Sequence, residues 1–367
     1  MIEYKEFLRI PGPTPIPQTV MNAMNTPIIY HRSELFGKII ENIIENGRKV
    51  FKTSGDILIF SATGRGVMEA SVVNCTSPGE KVLVLINGQF GEIFADIAQS
   101  FGRSVEKLYF NWGESIDTKC FEKYIKDNSE IKTVFVIHCE TSTGVVNDIK
   151  EIGRITNKYH KFLIVDAVSS LGGIDIDMSN WGIDIVLSAS QKALMTPPGL
   201  GLVAIKPKAW KKIEEVKSAR YYWDFRMYKE AQNRIPKQTP FTSPVSLMLG
   251  LNEALRLITE EGIDNVIERH FQVAKAFRDR LKSYGLKLFP KKEGWCSNTV
   301  TSVNCPDEIN SGLMISALQR KYNLRVANGI GKLKGKIIRV GHMGYQADHL
   351  STMIIADAII NVINYKI

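Results

Sequence analysis

The sequence predicts an α/β protein with a mostly parallel seven-stranded sheet in a large domain and a smaller C-terminal α+β domain. Two observations predict this class. Short β-branched runs alternate with amphipathic helical patterns through the first two thirds of the chain, and several runs are apolar throughout, as strands covered on both faces are. After residue 205, longer helical patterns replace the alternation. We therefore expect an N-terminal arm at 1–20, a large domain at 21–255 and a small domain at 256–367.

Individual elements follow from the same patterns. The predicted strands of the large sheet are residues 57–60, 82–86, 105–110, 133–137, 162–165, 185–188 and 200–205. Amphipathic segments predict crossover helices at 92–101 and 149–159. The C-terminal part predicts helices at 245–260, at 263–284 and from about residue 347, with strands at 299–303 and 336–340. The Pro-rich opening PGPTPIP predicts an extended arm that lies against another surface, which includes the option of a partner subunit.

Composition excludes several classes of protein. With 44% hydrophobic and 23% charged residues, the chain is neither disordered nor a disulfide scaffold. No segment predicts a membrane span and no secretory signal opens the chain, so we expect a cytoplasmic protein without a membrane partner. Five cysteines without C-x-x-C spacing predict reduced thiols and no metal site. The net charge of +9 would suit nucleic acid, anionic lipid or acidic metabolites, but no nucleic-acid-binding motif accompanies it, and we predict no nucleic-acid partner.

Polar residues follow the first predicted strand, at the edge where open α/β sheets bind ligands. Thr63, Gly64 and Arg65 precede a helix that we expect to begin near Val67, and the N–H groups of such a helix start suit a phosphate. The glycines could equally form only a tight turn. A dinucleotide fingerprint is disfavoured because Glu69 stands where its third glycine is required.

Asp166 ends one predicted strand and Lys192 follows the next. Taken singly, the first suggests a helix cap or loop acid and the second a solvated surface charge. Together with the phosphate cradle they match what pyridoxal 5′-phosphate requires. That cofactor needs an anchor for its phosphate, a carboxylate for its pyridinium nitrogen and an amine for a Schiff base.

Eight segments carry a family resemblance: PGPTPIP, SATGRGVMEA, NGQFGE, HCETSTGV, VDAVSSLGG, SASQKAL, TPFTSP and RVGHMG, in this order. With them the chain resembles the class V (fold-type I) pyridoxal phosphate aminotransferases. The similar branch contains alanine–glyoxylate, serine–glyoxylate and 2-aminoethylphosphonate–pyruvate enzymes. The resemblance covers nearly the whole chain. It implies a transaminase that moves an amino group from a small donor such as alanine or serine to glyoxylate or pyruvate, in a homodimer with its active site at the subunit interface.

The resemblance also implies residue roles. Lys192 would be the Schiff-base lysine and the base that moves the substrate proton, Asp166 the pyridinium partner, and Arg339 the ligand of the substrate α-carboxylate. The implied phosphate contacts are Thr63, Gly64, Arg65, Gln191 and, supplied by the partner subunit, Thr242. The implied contacts to the cofactor ring are Phe90, Thr141 and Val168.

Departures from the family pattern leave the substrate open. Arg65, Phe90 and Thr239 stand where animal alanine–glyoxylate enzymes have histidine, tryptophan and tyrosine. HCETSTG and FTSP favour the alternative of a 2-aminoethylphosphonate–pyruvate transaminase, whereas SQKAL and IRVGHMG favour the glyoxylate enzymes. A cysteine desulfurase-like lyase would have only Cys296 or Cys305 as its nucleophile. A non-enzymatic basic binding protein is supported by the net charge alone.

Overall fold

A computed structural model describes residues 6–306 and 308–364. Its large sheet has seven strands, which are β1 (Asp56–Ala62), β2 (Lys81–Ile86), β3 (Ser104–Tyr109), β4 (Thr133–Ile137), β5 (Phe162–Asp166), β6 (Ile185–Ala189) and β7 (Gly199–Ile205). All seven predicted strands are confirmed, with ends that differ by at most two residues.

The strand order is β1-β7-β6-β5-β4-β2-β3. The neighbours from β6 to β3 pair in parallel, and β7 runs antiparallel to both β1 and β6. Strands β1 to β6 therefore all point the same way, so their carboxyl ends meet at one edge. The loops that leave this edge carry the polar residues singled out above.

Twelve helices surround the sheets in the described part of the chain. They are α1 (Gln18–Met24), α2 (Glu34–Val50), α3 (Gly64–Cys75), α4 (Gln89–Ser100), α5 (Thr118–Asp127), α6 (Ile149–Lys158), α7 (Ala209–Glu215), α8 (Phe225–Gln232), α9 (Val245–Glu261), α10 (Ile263–Ser283), α11 (Ser311–Tyr322) and α12 (His349–Asn364).

Each face of the large sheet has its own apolar core. Along β1, Ile57 and Ile59 pack with α2, α5, α6 and α9, whereas Leu58 and Phe60 pack with α3, α4, α7 and α8. Successive strand side chains point to opposite faces, so a strand buried on both sides must be apolar at every position. This is why the continuous apolar runs in the sequence predict the sheet.

The C-terminal part has a separate antiparallel sheet. Its strands are β8 (Val300–Asn304), β9 (Ala327–Asn328) and β10 (Ile337–Gly341), in the order β8-β10-β9. Its core includes Phe277 of α10 and side chains of α11 and α12. Val266, near the start of α10, packs instead with the large core, so this helix joins the two cores. The domain division at residue 255 stays a prediction.

The N-terminal arm lies on its own chain. Phe7–Leu8 pairs in parallel with Leu324–Arg325, and the Gly341 amide donates to the Arg9 carbonyl at 2.7 Å. The extended stretch ends at Pro17, because α1 begins at the next residue. The surface that the arm covers over residues 6–17 thus includes the small sheet of the same protein, which the partner-subunit option did not anticipate.

Three further findings concern the described residues only. No helix among them is long and apolar enough to cross a bilayer. No group of three histidine, cysteine or acidic side chains there could hold a metal ion. All five cysteines are free thiols.

Candidate active site

A cavity of about 330 Å³ opens at the carboxyl edge of the large sheet. Nine of the eleven residues predicted to form the site line it: Thr63, Gly64, Arg65, Phe90, Thr141, Asp166, Val168, Gln191 and Lys192. They come from five different connections of the sheet, so the parallel topology is what brings them together.

The amino end of α3 forms one wall of this cavity. The helix begins at Gly64, so the predicted start near Val67 was wrong by one turn. Thr63 is the N-cap, and its hydroxyl accepts a hydrogen bond from the Gly66 amide at 3.4 Å. A side chain at position 64 would bring a Cβ atom to 3.0 Å from the Val168 Cγ2 atom, so glycine keeps this wall open. Arg65 is exposed and forms no ion pair with any described residue, which leaves its charge available to an anion.

Asp166 is buried and Lys192 is half-buried at the cavity. Burial raises the pKa of the Asp166 carboxyl to about 7 and lowers the pKa of the Lys192 ammonium to about 8. Asp166 Oδ1 accepts a hydrogen bond from the Val168 amide at 2.7 Å, and the Lys192 Nζ atom donates to the Pro11 carbonyl of the arm. Because both groups change protonation near neutral pH, both are poised for charge-dependent chemistry.

The N-terminal arm is hydrogen-bonded at the cavity to the loop between β6 and β7 that carries Lys192, here called the lysine loop. The Thr14 amide donates to the Gln191 carbonyl at 3.1 Å, and the Thr14 hydroxyl donates to the Lys192 carbonyl at 3.0 Å. Gly12 lies directly against the lysine, since a Cβ atom there would approach Lys192 Cδ to 2.7 Å. The PGPTPIP segment is therefore part of the site, which its prolines alone did not indicate.

Several lining residues were missed by the sequence reasoning: Gly12, Pro13, Met68, Ile137, Cys139, Ser169 and Pro198. Most of them belong to segments quoted for the family resemblance, so the signal was present at the level of the segment. Met68 and Ile137 are apolar residues of a helix and a strand, and nothing distinguishes them in sequence from ordinary core positions.

Arg339 and Thr242, the other two predicted residues, do not line the cavity. Arg339 lies on β10 with 8% of its surface exposed, and its guanidinium donates to the Asn328 carbonyl at 2.9 Å and the Thr141 carbonyl at 3.1 Å. Burial lowers its pKa to about 10, so it stays cationic at neutral pH. Thr242 is exposed on the loop before α9. Thus Arg339 borders the site through Thr141, whereas Thr242 faces outward.

The candidate nucleophiles of a desulfurase-like lyase are not at the cavity. Neither Cys296 nor Cys305 lines it. Burial raises the pKa of each thiol to about 11, which disfavours the reactive thiolate.

The donor set fits pyridoxal 5′-phosphate. Gln191 contributes a side-chain amide whose buried Oε1 atom has no hydrogen-bond partner among the described residues, and an amide can turn to present its donors to a phosphate. The buried Asp166 carboxyl pairs with no described lysine or arginine, so a protonated ring nitrogen would compensate its charge. Lys192 supplies the amine.

Comparison with known proteins agrees with this chemistry. The family model for class-V aminotransferases matches residues 7–333. An L-aspartate–glyoxylate aminotransferase of Paracoccus denitrificans is 36% identical over 95% of this chain and 89% of its own length. A serine–glyoxylate aminotransferase of Arabidopsis thaliana is 35% identical over 93% of this chain and 86% of its own.

A solved structure of an aminotransferase has the same fold as this chain. The crystal structure of an alanine–glyoxylate aminotransferase from Nostoc sp. superposes with a TM-score of 0.93 and 30% identity, covering 97% of this chain and 95% of that one. The predicted fold-type I architecture and pyridoxal phosphate-dependent transaminase activity are thereby confirmed. The chain belongs to the class-V aminotransferases.

Proposed function

We propose that this aminotransferase uses glyoxylate as its amino acceptor and a small amino acid as its donor. The observation that carries the proposal is the convergence of a half-buried lysine, a buried aspartate and a helix start suited to an anion on one cavity of about 330 Å³. The relatives named above differ in their amino donor, but each is named for glyoxylate. A constant acceptor with a variable donor is therefore the simplest assignment.

The roles of the side chains follow from their positions. When bound, pyridoxal 5′-phosphate supplies the electron sink for bond breaking at the substrate α-carbon. Thr63, Gly64, Arg65 and Gln191 would bind its phosphate, and Phe90, Thr141 and Val168 would contact its ring. Asp166 would keep the ring nitrogen protonated. Lys192 Nζ would accept the α-carbon proton and return it, for which a pKa of about 8 is well matched to neutral pH.

Arg339 would bind the substrate carboxylate. Two backbone carbonyls already hold the guanidinium in place, so little side-chain entropy is lost when a carboxylate pairs with its remaining N–H groups. A planar fork of donors matches a carboxylate better than a single ammonium does. This pairing would serve the amino donor and the keto acceptor in turn, since both carry the same carboxylate.

We also propose that a second copy of the chain completes the site. Exposed apolar residues cluster on one face, with Ile28, Tyr30 and Ile235 exposed by 72%, 66% and 99%. The Arg32 guanidinium donates to the Gln238 side chain, which brings the segments around 30 and 235 together next to the Thr242 loop. Patches of this kind mark subunit interfaces in soluble proteins. We expect a dimer mass by analytical ultracentrifugation, and a monomer at micromolar concentration would contradict this.

A cytoplasmic location is part of the proposal. The free thiols, two of which are fully buried at Cys75 and Cys139, support a reducing compartment.

A donor-by-acceptor screen tests the function. Alanine, serine, aspartate and 2-aminoethylphosphonate are each incubated with the loaded enzyme and either glyoxylate or pyruvate, and the amino product is measured. We expect glycine from glyoxylate with at least one donor. Lys192→Ala should abolish transfer and the absorbance of covalently bound cofactor, while the surface variant Lys208→Ala should keep both. Transfer to pyruvate only from 2-aminoethylphosphonate would favour the phosphonate alternative, and sulfide release from cysteine would favour a lyase.

A further inference from the structure

The amino end of α4 is capped from outside the helix. A helix leaves its first four N–H groups unpaired, and a Ser, Thr, Asp or Asn side chain at the N-cap position usually accepts from one of them. Here the N-cap is Gly88, which has no side chain to offer. Another part of the chain therefore has to pair these groups.

Glu140 and Ser142 supply the missing acceptors. The amides of Phe90 and Gly91 donate to Glu140 Oε2 at 3.0 and 3.1 Å, and the Gln89 amide donates to the Ser142 hydroxyl at 2.9 Å. These partners lie about 50 residues away in the sequence. The first three amides of α4 are thus paired by a short hairpin that follows β4, in which Cys139–Glu140 pairs with Val145–Val146.

The carboxylate of Glu140 is fully committed to this arrangement. It is completely buried, and its other oxygen, Oε1, accepts from the Ser142 amide at 3.1 Å and from the Ser142 hydroxyl at 2.5 Å. The partial positive charge at the start of a helix favours an anion at this place. Four hydrogen bonds and the helix dipole offset part of the cost of burial, although burial still raises the pKa of the Glu140 carboxyl.

Gly88 is required by the same contact. A Cβ atom at this position would lie 2.2 Å from Glu140 Cγ and 2.6 Å from Ser142 Oγ. A local N-cap side chain and the distant carboxylate are therefore mutually exclusive. The segments NGQFGE and HCETSTG are complementary halves of one structure.

The capped hairpin connects three residues of the active site. Phe90, whose own amide donates to Glu140, lines the cavity. Thr141, the next residue along the hairpin, lines the same cavity, and its carbonyl accepts from Arg339. Phe90, Thr141 and Arg339 are thus connected through Glu140 and the residue that follows it.

We propose that Glu140 is a positioning residue that fixes Phe90 and Thr141 relative to Arg339, so that cofactor and substrate carboxylate are bound in one rigid frame. This inference rests on the proposed function for the roles of those residues. The charge of Glu140 also acts on the site: burial lowers the pKa of Arg339 and Glu140 partly opposes this, whereas burial raises the pKa of Asp166 and Glu140 adds to it.

Amide hydrogen exchange of the cofactor-free protein tests the cap directly. Glu140→Gln keeps the size of the side chain but replaces one acceptor oxygen by an NH₂ group, so Phe90 and Gly91 lose a charged acceptor. We expect their exchange to accelerate by about tenfold or more. Glu92→Gln, on the first turn of the same helix but outside the cap, should leave these rates unchanged. Ser142→Ala should accelerate exchange at Gln89 more than at Gly91.

Cofactor binding is the second readout. We expect the dissociation constant of pyridoxal 5′-phosphate, measured by titration of the apoprotein, to rise about tenfold in Glu140→Gln and not in Glu92→Gln. In the loaded enzyme KM for the keto acid should rise as well, and Glu140→Asp should restore part of both values.

Wild-type exchange and wild-type cofactor affinity in Glu140→Gln would overturn the proposal. Accelerated exchange with unchanged cofactor affinity would also overturn it, because the cap would then be purely structural. If the wild-type protein bound no pyridoxal 5′-phosphate, the proposed function would fail, while the exchange experiment would still decide whether Glu140 caps α4.

Discussion

At the scale of single residues, the candidate site combines Asp166 and Lys192, whose pKa values are shifted in opposite directions. Both shifts have the same cause, since burial disfavours whichever form is charged. The sequence identified both residues because each lies at the carboxyl end of a strand, Asp166 as the last residue of β5 and Lys192 shortly after β6. It did not reveal that Pro11 and Gly12 of the arm lie against Lys192.

The stability of the cofactor-free protein should reveal the buried Asp166. Its folded-state pKa of about 7 lies above the usual value, so the folded state binds the extra proton, and its stabilising contribution is lost as pH rises from about 4 to 7. Asp166→Asn does not titrate. We expect the unfolding free energy of Asp166→Asn minus that of wild type to be about 3 kcal/mol larger at pH 8 than at pH 5. Urea denaturation measures this difference, and Asp127→Asn, at an exposed carboxylate, is the control. Equal differences at both pH values would contradict the burial argument.

The guanidinium geometry of Arg339 predicts that lysine is a poor substitute. Arg339→Lys keeps the charge but loses the two carbonyl contacts and the planar fork. We expect KM for the keto acid to rise about tenfold or more, with a smaller change in kcat. Steady-state kinetics measure both. Arg320→Lys, at an exposed position on α11, should leave both KM and kcat unchanged. An unchanged KM in Arg339→Lys would show that Arg339 does not bind the substrate.

At the scale of elements, strands were predicted better than the contacts that fix helix ends. Central strands such as β2 and β4 are apolar at nearly every position, and that pattern is local, whereas the edge strand β3 contains Glu106 and Lys107. The start of α3 was predicted one turn late because Gly64 and Gly66 are poor helix formers, while capping by Thr63 and packing against Val168 outweigh that preference. The cap of α4 was invisible to a local reading, since its acceptor lies on a distant hairpin.

Thr63 should contribute to both helix stability and cofactor binding. Thr63→Ala removes the N-cap of α3, which costs about 1 kcal/mol in unfolding free energy. The same change should weaken the binding of pyridoxal 5′-phosphate, because Thr63 lines the cavity. Asp148→Ala removes an equivalent cap from α6 away from the cavity. Denaturation and cofactor titration of both variants should show similar losses of stability, but a loss of cofactor affinity for Thr63→Ala alone; equal affinities would exclude Thr63 from the phosphate site.

At the scale of the whole molecule, two cores meet at one site. Asp166 ends β5 and Lys192 follows β6 of the large sheet, whereas Arg339 lies on β10 of the small sheet. Hydrophobic patterns predicted both layers. They did not reveal that β7 is the antiparallel strand, because its direction depends on the short return from β6, nor that the arm crosses from one sheet to the other.

Destabilising the core of the small sheet should therefore weaken substrate binding more than cofactor binding. Phe277→Ala truncates a fully buried side chain of that core and should cost about 3–5 kcal/mol. Phe121→Ala truncates an equally buried side chain of α5 in the large core. At denaturant concentrations below the unfolding transition, we expect Phe277→Ala to raise KM for the keto acid before the protein releases its cofactor. Loss of cofactor first in Phe277→Ala would contradict the separate roles of the two cores.

The activity of the enzyme should also depend on an intact backbone in the N-terminal arm. A single proteolytic cut between Arg9 and Thr14 would sever the link between the small sheet and the lysine loop while both cores stayed intact. Nicked molecules would thus keep their circular dichroism and their melting profile yet lose turnover, so the integrity of this peptide is a better criterion of an active preparation than folded mass.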